Sequence, residues 1–125
     1  MNKEVMILEL ASLIRSLDFM QEEQEFIKSK LTGKLDSTHD ITILNWVEDI
    51  QQQIINRELA IQLLKKDIQQ LDRMFNLNRV VGSIDEAQIS QFKNDKEQVQ
   101  YLENDFFVWK NNVNHQLELT NLTTN

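Results

Sequence analysis

The chain has 125 residues, a net charge of −7, no proline, no cysteine and two glycines, Gly33 and Gly82. One domain of this length buries about two thirds of its unfolded surface, and without cysteine it holds no disulfide, thiolate nucleophile or thiolate metal site. Residues 81–125 carry three basic and seven acidic side chains, and no cluster of Lys and Arg stands out anywhere, which disfavours nucleic acid and anionic membranes as partners.

The chain opens on "MNKEVMILELASLIRSL", where Glu4 and Glu9 interrupt the apolar run and no small-residue cleavage site follows. The stretch is too short and too charged for a span and does not read as a signal peptide, so the expected location is cytoplasmic. Its apolar residues instead repeat at helical spacing: Met6, Leu10, Leu13, Leu17, Met20, Gln24, Ile27 and Leu31 form one seam. The spacing predicts a first helix over about 3–32, capped by Asn2 and ended by Gly33 in the left-handed conformation.

Ser37, Thr38 and Asp40 offer caps for a second helix over about 39–77. Its seam runs Ile43, Val47, Ile50, Ile54, Arg57, Ile61, Leu64, Ile68, Leu71, Phe75, an alternation of three- and four-residue steps interrupted only by the arginine. "NLNRVVGS" reads as a loop. Ser83 and Glu86 then have capping-box spacing at the head of a third helix over about 84–118. Phe92, Asp95, Val99, Leu102, Phe106, Trp109 and Val113 make its seam, with Leu117 beside it. Residues 120–125 are a polar tail. No strand pattern, repeat or second domain is evident, so residues 1–119 are read as one domain.

Sustained heptads joined by short loops predict an all-α fold, an elongated antiparallel bundle of three long helices with coiled-coil packing and crossings of about 20°. The expected lengths are unequal. The first residues of the first helix should lie beside about residue 68 of the second by a rise of about 1.5 Å per residue, leaving Leu71, Phe75, Leu77, Val80, Val81, Ile84 and Phe92 at a two-helix end without cover. A second apolar surplus lies in "IINRELAIQLL", where Ile55, Leu59 and Leu63 fall outside the seam. The same register puts Leu8 near Leu63, and Phe107 and Val108 near Ile55. Such a surplus either widens a three-helix core or forms an interface, of which a two-fold homodimer is the common kind.

Arg57 poses a separate question. Antiparallel partners on the second and third helices, which join near residue 81, have numbers adding to about 162, which sets Arg57 opposite Asp105. A guanidinium in an apolar seam must either pair or reach solvent. Pairing with Asp105 would fix the helix register, since a slip by one heptad would strand the charge.

The chemical inventory is thin. His39 sits among the caps and His115 near the end of the third helix, and neither has the spacing of a zinc or di-iron ligand set. "QEEQE" at 21–25 clusters carboxylates at outer heptad positions, where solvation is the ordinary explanation. No glycine-rich phosphate loop is present, and Trp46 and Trp109 read as packing. The expectation is a protein without catalytic residues, metal or cofactor, acting through self-association and binding to another protein. The alternative is a small acidic binder that neutralises or chaperones a basic protein, and a weaker one is a ligand-binding or phosphotransfer bundle.

Overall fold

A computed structural model describes the backbone of residues 2–81 and 85–123, with side chains for 2–77 and 85–121. Three helices pack against one another: α1 (Lys3–Ser37), α2 (Ile41–Val81) and α3 (Glu86–Thr123). Buried residues recur at alternating steps of three and four from Met6 to Leu31 on α1. The same steps run from Ile43 to Phe75 on α2 and from Phe92 to Val113 on α3, with only Arg57 and Leu102 partly buried along them, and Leu117 follows one four-residue step on. They join in one core running along the bundle. At about 1.5 Å per residue, helices of 35, 41 and 38 residues are roughly 50–60 Å long.

Cross-helix pairs define the directions. Lys96 reaches Glu9 at 3.1 Å and Lys110 reaches Glu23 at 3.0 Å, both with the same sequence offset, so α3 runs parallel to α1. Lys65 pairs with Asp18 and Lys28 with Glu58, so α2 runs antiparallel to α1. These pairs flank the apolar seam, where the alkyl stems of lysine can cover core side chains while the ammonium stays wet.

The helix ends depart from the sequence expectation in four places, one of them the far end of α3, which runs to Thr123 through most of the expected tail. Gly33 does not end α1, which continues to Ser37, and no described glycine has a positive φ. The chain beyond Gly33 still buries Lys34 and Thr38, and Leu35 packs on the core. That burial outweighs a helical glycine's cost of about 1 kcal/mol relative to alanine. The true boundary is polar: Asp40 Oδ1 accepts from the Thr42 N–H at 2.9 Å and starts α2. At its other end α2 runs through 78–81, part of the expected loop, because no breaker precedes Gly82. The remaining departure is the cap of α3. Ser83 lies outside the described residues, and the reciprocal box is formed by Asp85 and Gln88, with Gln88 N–H donating to Asp85 Oδ1 at 2.8 Å and Asp85 N–H to Gln88 Oε1 at 3.4 Å.

The expected two-helix end is also closed among the described side chains. Leu71, Phe75 and Phe92 are buried in the same core as Met6. Asn2 caps α1, its side chain accepting from the Glu4 N–H at 2.7 Å, so the helix is formed from its first turn and carries Met6 to this level. Phe75 and Phe92 are both fully buried. Leu71, Phe75 and Phe92 are therefore core residues and not a surface, whereas Leu77 is exposed. The side chains of Val80 and Val81, and Ile84 as a whole, lie outside the described residues.

Candidate interaction surface

The other apolar surplus does reach solvent. Ile55, Leu59 and Leu63 are 56–60% exposed, spaced four residues apart in a stripe slanting across the outer side of α2. Helix formation puts them there: with Ile54, Ile61 and Leu64 turned to the core, residues one or two steps away must face outward. At its Leu63 end the stripe enters a groove of about 560 Å³ between α2 and α3, with Ala60 and Leu64 on one wall and Tyr101 and Leu102 on the other. Tyr101 is itself largely exposed, as is Val108 seven residues further along α3.

The neighbours of the stripe differ from those expected. Leu63 shares its groove with Tyr101 and not with Leu8. Phe107 does not flank Ile55. It lines a separate groove of about 370 Å³ between α1 and α3 together with Phe19.

Arg57 lies at the level of the stripe but on the inward side. Its guanidinium meets Asp105 Oδ2 at 2.8 Å, with side chains 20% and 47% exposed respectively. It also lies over the ring of Trp109, 4.5 Å from the centroid. The Trp109 indole N–H in turn donates to Gln53 Oε1 at 2.8 Å. An arginine can occupy the seam here because one face of its plane is stacked and one edge is paired, so little of the charge is left desolvated. The same register that sets Arg57 against Asp105 sets Gln53 against Trp109, a signal available in the sequence and missed there.

Each of the other two seams also carries one polar interruption. Gln24 on α1 is fully buried, with neither its Nε2 nor its Oε1 partnered. Asp95 on α3 is 1% exposed; Oδ1 accepts from Gln91 Nε2 at 2.9 Å, while Oδ2 is buried without a partner. Burial pushes the Asp95 carboxyl above the ordinary carboxylate range; the Gln91 hydrogen bond opposes this and the charge of Asp67 adds to it.

His39 and His115 are both exposed. Among the described residues no group of three or more His, Asp or Glu side chains is placed to hold a metal ion, and no helix is long and apolar enough to cross a membrane. The Glu22 and Glu25 carboxylates line an open polar groove between α1 and α2 with Asp18 and Glu58, whose nearby lysines bridge the helices. No family model matches the chain, and neither a curated protein nor a solved structure matches it.

Proposed function

We propose that this chain is a non-catalytic helical-bundle protein that works by self-association and by binding another protein, with the outer face of α2 and its groove with α3 as the contact surface. The observation that carries the reading is the stripe of Ile55, Leu59 and Leu63, more than half exposed and opening into a groove that Leu64, Tyr101 and Leu102 also line. The core is already complete without these residues, so the stripe is surplus to folding. Large apolar side chains contiguous on a surface mark interaction sites, and the usual closed form for one chain is a two-fold dimer. The alternating three- and four-residue steps of the buried positions support coiled-coil-like packing within the bundle. The acidic, charged composition supports a cytoplasmic setting.

Light scattering on the eluting peak of a size-exclusion column tests the reading. A dimer or larger species at micromolar concentration is expected. A monomer mass together with little binding of a dye for exposed apolar surface would contradict it.

A further inference from the structure

We propose that the part of the groove between α2 and α3 beyond the Leu59–Leu63 stripe receives a cationic amphipathic helix of a partner protein, with apolar anchors set on Tyr101 and Met74 and flanking Lys or Arg set on carboxylates. The inference rests on the reading above that this face is an interaction surface, and it names the chemistry of the occupant. The argument is one of charge distribution. Among the described residues the α1–α2 and α1–α3 seams are each flanked by two lysine–carboxylate pairs, whereas Arg57–Asp105 is the one ion pair between α2 and α3.

Towards the Asp85 end of the molecule the α2–α3 groove is acidic. It is lined by Asp67 and Glu97 beside Leu63 and Tyr101, and a second hollow of about 410 Å³ shares Asp67 and continues past Met74 to Asp85. No Lys or Arg lines either hollow, and neither Asp67 nor Glu97 is in an ion pair among the described residues. The charge of Asp67 also bears on the interior of the bundle, where it adds to the burial that pushes the Asp95 carboxyl above its ordinary range.

A groove with an apolar floor, carboxylate rims and no cation suits a helix that lays an apolar stripe into it and places cations on both flanks. A second copy of this acidic chain fits that part of the groove less well, because it brings like charges together.

The probe is a fluorescent helical peptide of about three heptads, leucine on one face and lysine on the flanks, compared with its glutamate counterpart by anisotropy against the full chain. One-to-one binding of the lysine peptide, weakened by added salt and absent for the glutamate peptide, is expected. Asp67→Asn with Glu97→Gln should weaken it about tenfold, as should Tyr101→Ser, which alters an exposed side chain and spares the fold. Glu22→Gln with Glu118→Gln removes the same charge elsewhere and should change the affinity less than twofold. Equal weakening by the two charge pairs, or no binding of the lysine peptide, would overturn the cationic helix. If the peptide fails while glutamates at Leu59 and Leu63 still alter the chain's mass, the surface stands and only its occupant is wrong. If both fail, the underlying reading falls with it.

Discussion

Arg57 shows how a charge can be kept in an apolar seam. Its pair with Asp105 is half open to water, so it adds little net stability by itself, and exposed pairs are typically worth less than about 1 kcal/mol. The larger effect is on what happens when one partner goes. Asp105→Ala leaves a mostly covered guanidinium with only the Trp109 ring beside it and should cost about 1 kcal/mol in urea unfolding. Arg57→Leu combined with Asp105→Ala should recover much of that loss, because leucine returns the seam to an unbroken apolar repeat. Losses that merely add would show that the two side chains are not coupled. Asp95 is the opposite case, a buried carboxylate with one oxygen unpartnered. Its proton is held more tightly in the folded chain than in the unfolded one. Its contribution to stability is therefore fully present below the ordinary aspartate value of about 3.9 and lost as pH rises through the raised value. Asp95→Asn should be more stable than the parent by a margin that widens across that interval and is constant above it. A margin independent of pH would rule this out.

At the scale of the helices, the alternation of three- and four-residue steps made three elements legible in the sequence, because a continuous core rewards the same period along its whole length. Their ends were less so. Gly33 has the local signature of a helix stop, yet the contacts of Lys34, Leu35 and Thr38 lie beyond it and hold the helix together. Local propensity of about 1 kcal/mol is easily overridden by such packing. Gly33 thus remains in a helix with nothing within 4 Å of where a Cβ would stand. Gly33→Ala should raise stability by about 0.5–1 kcal/mol, read as a higher midpoint in thermal or urea unfolding. A loss would mean the backbone there is not helical in solution. The cap of α2 gives the complementary expectation: Asp40→Ala removes the acceptor of the Thr42 N–H and should cost about 1 kcal/mol.

For the molecule as a whole, the surface stripe was legible as apolar residues out of step with the seam, but its surroundings were not. Register fixes how far along the bundle two residues lie, not on which side of a helix they stand. Phe107 follows the buried Phe106 and turns towards α1, whereas Tyr101 precedes Leu102 and turns towards α2. Adding the side of the helix to the level along it would have joined Leu63 to Tyr101 from sequence. The central claim is that this surplus on α2 is an interface and not a broad margin of the core. Sedimentation equilibrium of three forms of the chain tests it most directly: the parent, Leu59→Glu with Leu63→Glu, and a control, Leu8→Glu with Phe26→Glu, whose side chains are equally exposed on α1. The account predicts a dimer for the parent and the control and a monomer of unchanged helix content for the α2 variant. A parent and α2 variant of the same mass would contradict it.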